Sequence, residues 1–540
     1  MGIGKHSDNV WRMAVVLILV AVASGMAVAA DEAAPAPAAH RAVYTRANAP
    51  AAPAVNDLQM RRSVSQYGIT WTFDKEVPVG RFINGDWYVV GPVTVKMIDP
   101  KPRVGAEVRE DELDGREKRL TKEGRLKLKE ADRVRNGSML NPPARQEVAY
   151  DSGIRSYFKR ERLSVPPIQM KPGDSLVSTI SRALNDKVQF PYHAGGKRSS
   201  GDASPVKTAA VLTCMAEPQP ADAFRPSYCD TSNKVYLART LKRELLRTLP
   251  RPDSTPKLDT WVRVFQRPWV NTGFFGFDQP MDNMPHYGQW VGQAQSMAGL
   301  MLMLNFPAPE KERLLVNVVQ VGIDYWGVVR GGHPGWQGWG GHGSGRKFPI
   351  VFAGILLGDD QMAAPTTAFP KCNFGEDNQT MYGDCWTGAK VCFAGHSGMH
   401  PHAEKKVPRP KWGPYEHLHP SQWDKNGMKN MQSEAYRRAN SSSSWPGQAL
   451  VIRMLHGEKH WNHAPFFDYV DRWMYEDDKE FRHIINEHFP QKALVNEKSK
   501  WFHQGQAWEK FVTEMWKKYR PTLEAPIDGW KKAKGGAGGE

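Results

Sequence analysis

The sequence predicts a multidomain α+β protein in which an N-terminal antiparallel β-sandwich-like domain is followed by a helical (α/α) toroid. Short segments with strand-like patterning dominate residues 57–232, and the apolar period becomes helical over 233–540. Long loops rich in Gly, Pro and His separate the later helices, notably 330–346 and 371–424. Helices that alternate with long polar loops suit a ring of paired helices, and we expect the loops at one end of that ring to form a cleft.

Three segments support the β-domain. Residues 69–73 alternate between polar and apolar side chains, 87–95 form two short strand-like runs broken by a Gly-Pro pair, and 206–215 form another run. The insertion at 101–135 departs from this pattern because it is dense in charge of both signs and poor in large apolar residues. We expect it to be a solvated helical excursion or a disordered loop.

The helical half is predicted from apolar residues at helical spacing and from the prolines that close several segments. The predicted helices cover 235–249, 290–304, 314–326, 348–357, 446–456, 465–475 and 504–519.

The N-terminus predicts export. Lys5 and Arg12 precede an apolar run over 13–28. Small residues at the end of this run, including Ala27, Ala29 and Ala30, are typical of a signal-peptidase cleavage site. We therefore expect a signal peptide at 1–30, a secreted or periplasmic location, and no membrane span after cleavage. Residues 31–56 are mostly Ala and Pro, which is typical of a tether.

The net charge and the aromatic content indicate which classes of binding partner are favoured. The formal net charge is +15, and for an exported protein this favours an acidic polysaccharide or an anionic envelope lipid over nucleic acid. The 19 Trp residues suit stacking on sugar rings, although most of them are expected in the core.

Five cysteines lie in the exported part. Cys214 and Cys229 are expected to form a bridge across a short loop, since disulfides form outside the cytoplasm. Cys372, Cys385 and Cys392 can supply a second bridge and leave one thiol over.

The first candidate site is the start of the helix predicted at 290–304, where an amide, an imidazole and a phenol gather in Asn283, His286 and Tyr287, followed by Trp290. Here the chain resembles the α/α-toroid alginate lyases and related uronate lyases, several of which carry Asn-Asn-His followed closely by Tyr and Trp. This sequence departs from that pattern because Met284 and Pro285 separate Asn283 from His286. The alternative is a capped helix start with packed aromatic residues.

Two further segments complete the predicted site. The glycine-rich loop at 338–345 precedes Arg346 and Lys347 and contains His342; the glycines allow close approach to a ligand, and the cations before a helix suit a carboxylated sugar. Tyr436 and Arg437 precede a Ser tract, where Arg suits a carboxylate and Tyr can move a proton. The alternatives are a flexible loop and surface charge on a helix.

A histidine-rich region is the last candidate. His402 lies two residues after His400, and a similar pair follows at His417 and His419. This spacing suits a metal ion on an extended strand, but hydrogen bonding within a loop or contact with a sugar is the favoured interpretation, with His402 as a substrate contact. No cofactor is expected, and a structural metal ion at these loops stays an alternative.

Together these features predict an exported lyase that cleaves a uronic acid polymer by β-elimination. His286 or Tyr287 is the expected base, Tyr436 or Tyr287 the acid, and Asn283, Arg346 and Arg437 the groups that neutralise the uronate carboxylate. A glycoside hydrolase on the same toroid is the first alternative and would need two carboxylates beside the bond. The available carboxylates are Asp278, Asp282, Glu376, Asp377, Glu416 and Glu434. A non-catalytic glycan-binding envelope protein is the second.

Overall fold

The structure is a computed structural model of the chain. It describes residues 42–112, 129–145, 147–154, 158–183, 205–232, 234–270, 281, 283–285, 288–338, 340–394, 415–423, 429–490 and 504–532. The predicted signal peptide, the first part of the predicted tether and the middle of the charged insertion lie outside these residues.

The N-terminal part is a single curled sheet of eight strands with the order β7-β9-β10-β3-β2-β4-β8, in which β1 also pairs with β2. All its pairings are antiparallel except that of β10 with β3, which is parallel. The strands of the chain are β1 Gln59–Gln66, β2 Ile69–Arg81, β3 Trp87–Val90, β4 Val93–Asp99, β5 Arg103–Val104, β6 Val134–Arg135, β7 Ser138–Leu140, β8 Ile168–Met170, β9 Ser175–Ser181, β10 Val206–Met215, β11 Gly335–Trp336, β12 Asn373–Phe374, β13 Thr380–Tyr382 and β14 Val391–Phe393.

This curled sheet differs from the expected sandwich of two sheets, and the reason is visible in β10. Ala210 and Leu212 belong to a core enclosed by the curl of the sheet itself, whereas Ala209 and Val211 point to the opposite face and join the core of the helical part. Successive side chains of a strand point to opposite faces. The helices therefore cover the face that a second sheet would cover in a sandwich.

Six of the seven predicted helices are present, and the chain also forms helices that were not predicted, including Leu258–Gln266 and Lys479–His488. The helix expected at 235–249 is replaced by two single 3-10 turns, Ala238–Thr240 and Arg243–Leu245. The observed helices are α1 Leu258–Gln266, α2 Gly288–Leu302, α3 Ala308–Arg330, α4 Ser344–Leu357, α5 Asp360–Ala363, α6 Pro365–Ala368, α7 Lys429–Tyr436, α8 Pro446–Met454, α9 Glu458–Trp461, α10 Ala464–Tyr475, α11 Lys479–His488 and α12 Lys510–Tyr519.

Helix α2 occupies a central position among the helices. It contacts α3, α4, α8 and α12, and its residues from Val291 to Leu302 are buried. A helix that is buried all round must place its polar residues against other protein groups. The amides and hydroxyls of α2 are therefore available to organise the loops around its N-terminal end. Among the described residues, no helix combines the length and the apolar character needed to cross a membrane.

The described ends of the charged insertion are ordered against each other. Arg103 and Val104 in β5 pair with Val134 and Arg135 in β6, and short 3-10 turns lie beside them. Residues 113–128, between these ends, lie outside the described part of the chain.

The predicted bridge between Cys214 and Cys229 is wrong in this structure, where all five cysteines are free thiols. Cys214 packs in the core inside the curled sheet, and its thiol contacts the carbonyl oxygen of Gly91 at 2.7 Å. Cys229 packs against the core on the helical side, beside Pro143. The sheet separates the two thiols, which sequence spacing alone does not reveal.

Candidate functional site

The described residues of the glycine-rich loop, 338 and 340–345, are enclosed by other segments of the chain. A Cβ atom at Gly338 would lie 2.5 Å from the backbone of Gly375, and one at Gly343 would lie 2.5 Å from Glu376 Oε2. Atoms this close exclude any side chain at these two positions. The glycines were predicted to allow a ligand to approach the loop closely. In the structure, it is the protein's own backbone and side chains that pack closely against them.

Gly340 is constrained in two ways, because it combines a φ of +79° with a crowded site. A Cβ atom there would lie 2.8 Å from the carbonyl oxygen of Asn440. Gly340→Ala is expected to destabilise the protein by about 1–2 kcal/mol for the left-handed backbone alone, and by more because of this contact. Chemical denaturation monitored by tryptophan fluorescence measures the loss.

Gly332→Ala is the matched control for this prediction. Gly332 has a φ of +88°, but no atom lies within 4 Å of the Cβ position. It therefore carries the backbone cost without the contact. Equal losses for the two variants would contradict the packing of the loop against Asn440.

Tyr436, at the end of α7, contacts this loop directly. Its hydroxyl donates to the carbonyl oxygen of Gly338 at 3.3 Å, and its side chain is partly exposed. Immediately after it, Arg437–Ser441 forms one turn of π-helix, which brings Asn440 against Gly340. Single π-turns inserted in helices occur frequently at functional sites.

The N-terminal end of α2 joins the same group of residues. In the amide orientation that satisfies both of its polar groups, Gln289 donates to the carbonyl oxygen of Asn440 at 3.2 Å and accepts from Trp290 Nε1 at 3.3 Å. Trp290 is partly exposed. We call Gln289, Trp290, Gly340, Tyr436 and Asn440 the loop cluster.

Beneath the glycine-rich loop lies a buried basic layer. Arg346 and His342 are each 2% exposed, and Arg346 Nη1 donates to the carbonyl oxygen of His342 at 3.0 Å. The guanidinium also lies 5.9 Å from the centre of the Tyr325 ring. Burial, reinforced by the charge of Arg346, holds the pKa of His342 well below its usual value. His342 is therefore a neutral imidazole at physiological pH.

A second histidine in this layer is also kept neutral. His333 stacks on Trp336 with ring centres 4.5 Å apart. Burial lowers the pKa of His333 to about 3, and the charge of Arg346 acts in the same direction. Arg346 is thus the cation next to two imidazoles that remain uncharged.

Glu376 occupies the N-terminal end of α4. Its Oε2 accepts a hydrogen bond from Ser344 N at 2.6 Å, and the residue is 1% exposed. Burial raises the pKa of Glu376 to about 7, although backbone N–H groups of Ser344 and Gly341 act in the opposite direction. Its Oε1 has no hydrogen-bond partner among the described residues. A buried carboxyl that titrates near neutral pH can act as an acid or a base.

Two of the predicted anion-binding cations are already paired with carboxylates. Lys347 is fully buried and pairs with Asp377, which also accepts from Trp461 Nε1 at 3.1 Å. Arg437 is 3% exposed and binds Glu434 through two nitrogens, at 3.0 and 2.9 Å. Both cations therefore hold local structure in the described part of the chain.

Asn283 also has a local role. Its Nδ2 donates to the carbonyl oxygens of Val264 and Arg267, at 3.1 and 3.2 Å, and its side chain is fully buried. These bonds hold the C-terminal end of α1 against the segment before α2. His286, Tyr287 and His402 lie outside the described residues.

The structure therefore brings Trp290, Tyr436 and the loop that carries His342 and Arg346 into one region. It places the side chains of His342 and Arg346 under the loop, where the sequence led us to expect an open groove. Gln289 and Asn440 were not predicted, because a single amide within a helix or after an Arg pair has no distinctive sequence pattern.

No protein-family model, no curated protein and no solved structure matches the chain.

Proposed function

We propose that the protein is an exported polysaccharide lyase that cleaves a uronic acid-containing polysaccharide by β-elimination, with its helical part arranged as an α/α toroid. The observation that carries the proposal is the loop cluster. In it, the partly exposed Tyr436 and Trp290 come from segments far apart in the sequence and meet at the glycine-rich loop, whose His342 carbonyl oxygen is bonded by the buried Arg346. A phenol, an aromatic face for a sugar and a nearby positive charge are the groups that such a reaction requires.

The chemistry assigns a role to each group. A base removes the proton at C5 of the uronate, the C4–O bond breaks, a C4–C5 double bond forms, and an acid protonates the departing oxygen. His286 or Tyr287 is the proposed base and Tyr436 the proposed acid. The charge of Arg346 under the loop favours the developing negative charge on the substrate.

Arg437, which was predicted to neutralise the uronate carboxylate, has a different role in this proposal. Arg437 is held by Glu434 and follows Tyr436 directly, so it positions the phenol. The buried amide of Gln289 bonds Asn440 and Trp290, so it holds both residues in place, and the partly exposed amide of Asn440 is the proposed hydrogen-bond donor for a substrate. Amide donors of this kind stabilise anions that form during a reaction.

The decisive experiment is incubation of the full-length protein with a panel of acidic polysaccharides, with neutral polysaccharides as controls. A lyase yields products that carry a conjugated alkene at the new non-reducing end, which ultraviolet absorbance and mass spectrometry detect. Binding without any product would favour the glycan-binding alternative. Saturated products would show hydrolysis.

One observation favours hydrolysis as a second candidate, namely the raised pKa of Glu376. Among the described carboxylates considered from the sequence, Asp377, Glu416 and Glu434 are each paired with a cation, whereas Glu376 is held by backbone N–H groups. A hydrolase also needs a second carboxylate, and the remaining candidates, Asp278 and Asp282, lie outside the described residues.

The pH profile separates these two functions. If Glu376 is the general acid of a hydrolase, activity requires its protonated form and falls as the pH rises through about 7. Glu376→Gln would then abolish that activity. In the lyase, the same variant is expected to retain turnover, because Gln keeps a side-chain oxygen that can accept the hydrogen bond from Ser344 N.

A further inference from the structure

Two of the five thiols face each other in the hairpin formed by β13 and β14. Cys385 Sγ and Cys392 Sγ are 3.0 Å apart, and both residues are buried. Cys392 lies in β14 opposite Met381, and Cys385 lies in the turn, where its N–H donates to the carbonyl oxygen of Ala389 at 2.8 Å. A disulfide bond is about 2.0 Å long, so the two sulfurs need to approach by only about 1 Å.

The other three thiols have different surroundings. Cys214 and Cys229 are separated by the sheet, as described above. Cys372 is buried in the neighbourhood of Lys347. Among the five thiols, the contact between Cys385 and Cys392 is the one that permits a bridge without movement of the backbone elements.

The hairpin is attached to α10 by a buried arginine. Arg472 Nη1 reaches Cys385 Sγ at 3.4 Å and donates to the carbonyl oxygen of Val391 at 2.9 Å. The same guanidinium pairs with Glu416 and Glu476, at 2.9 and 3.0 Å. The thiol pair therefore lies at the point where the hairpin, α10 and the segment that contains Glu416 meet.

We propose that Cys385 and Cys392 form a disulfide bond when the chain folds in an oxidising compartment, and that this bond closes the β13–β14 hairpin beside Arg472 of α10. The inference does not rest on lyase activity, since it requires only an oxidising environment. Exported proteins commonly contain such bonds.

The oxidant is a disulfide, which is either oxidised glutathione or the disulfide form of a thiol oxidoreductase. The Cys385 sulfur, as a thiolate, attacks that disulfide to form a mixed disulfide and releases the first thiol. Cys392 then attacks Cys385 Sγ, the second thiol leaves, and the protons of the two cysteines pass to the departing sulfurs. The protein loses two electrons and two protons, and the external disulfide gains them.

Lys390 provides a clear test because trypsin cleaves between the two cysteines. The full-length protein is refolded in a glutathione redox buffer, alkylated under denaturing conditions and digested. We expect the peptide that ends at Lys390 and the peptide that begins at Val391 to remain joined until a reductant is added. The first peptide begins at Cys372, so the same digest of Cys372→Ser, in which Cys385 is the one cysteine of that peptide, identifies the bonded pair. The intact protein should be lighter by two hydrogen atoms and should retain three alkylatable thiols.

Matched variants complete the test. Cys372→Ser removes a buried thiol outside the hairpin and should still lose two thiols on oxidation, whereas Cys392→Ser should lose none to an internal bridge. The oxidised wild type should also unfold at a higher temperature than the reduced protein, because the bridge restricts the unfolded chain. Five alkylatable thiols in the oxidised wild-type protein, or a bridge between any other pair, would overturn the proposal.

Discussion

Replacement of Tyr436 by Phe is expected to reduce turnover of an acidic polysaccharide by two orders of magnitude or more while the fold persists. The phenol is the proposed acid, and loss of a positioned proton donor typically costs on the order of 10²–10⁴ in rate. The variant keeps the ring and loses the hydrogen bond from the hydroxyl to the carbonyl oxygen of Gly338. Initial rates of alkene formation at saturating substrate measure the effect, and His286→Ala is expected to act similarly.

Tyr382→Phe is the matched control. The Tyr382 hydroxyl donates to Asp468 Oδ2 at 2.7 Å, so this variant also loses a tyrosine hydroxyl bond within the helical part. Turnover should stay close to wild type although stability decreases. If the two variants lost the same fraction of activity, Tyr436 would have a structural role and its assignment as the acid would be wrong.

Arg346→Ala is expected to weaken substrate binding and turnover together, in contrast to Tyr436→Phe. The positive charge acts on the carboxylate both in the bound substrate and at the transition state. A rise in KM together with a fall in kcat would support this role. A loss of kcat alone would limit Arg346 to the transition state.

Replacement of Arg225 by Met is expected to have the largest effect on stability, a loss of about 3–5 kcal/mol in the free energy of unfolding. Arg225 is fully buried between the sheet and α3. Its Nε bonds Asp86 Oδ2 and its Nη2 bonds Asp324 Oδ2, both at 2.6 Å. The variant leaves two carboxylates buried without their cation, and chemical denaturation of the full-length protein measures the cost.

The pH dependence of this variant is a second signature. Burial raises the pKa of Asp324 to about 6, against the attraction of Arg225. Folded Asp324 keeps a proton that the unfolded chain loses near pH 4, so its contribution to stability falls as the pH rises from about 4 to 6. Without Arg225 this pKa rises further and the fall extends to higher pH. The variant should therefore lose more stability at pH 8 than at pH 5.

Two controls accompany Arg225→Met. Lys101→Met removes one side of an exposed ion pair with Glu107 and should change stability by less than about 0.5 kcal/mol. Adding Asp324→Asn to Arg225→Met should recover part of the loss and weaken the pH dependence. An unfolding free energy equal to that of the wild type in Arg225→Met would show that the buried cluster does not join the sheet to the helices.

The local structure of the chain could be predicted from the sequence to a large extent. The strand pair broken at Gly91 and the predicted helices after residue 288 form as expected, because alternation, helical spacing and turn residues act over a few positions. The helix predicted at 235–249 failed for a tertiary reason. Backbone groups of this segment form hydrogen bonds with other parts of the chain instead of with one another. Ala238 N donates to the carbonyl oxygen of Asp222, and Lys242 N donates to that of Leu356.

The candidate site was predictable only in part. The glycine-rich loop, Tyr436 and Trp290 were found because they carry unusual residues in unusual density. The pairing of Lys347 with Asp377 and of Arg437 with Glu434 could not be foreseen, since a sequence shows that a cation is present but not what neutralises it.

By itself, the sequence determined the order of β and helical segments, the positions of most turns, and the residue types from which a polyanion site can be built. Only the tertiary structure decided that the sheet curls and shares its core with the helices, that the thiols at 385 and 392 meet, and that Tyr436 contacts a loop 98 residues earlier in the chain. The physical reason is range. Backbone preferences act between neighbours in sequence, whereas burial and charge pairing depend on distances that only the folded chain defines.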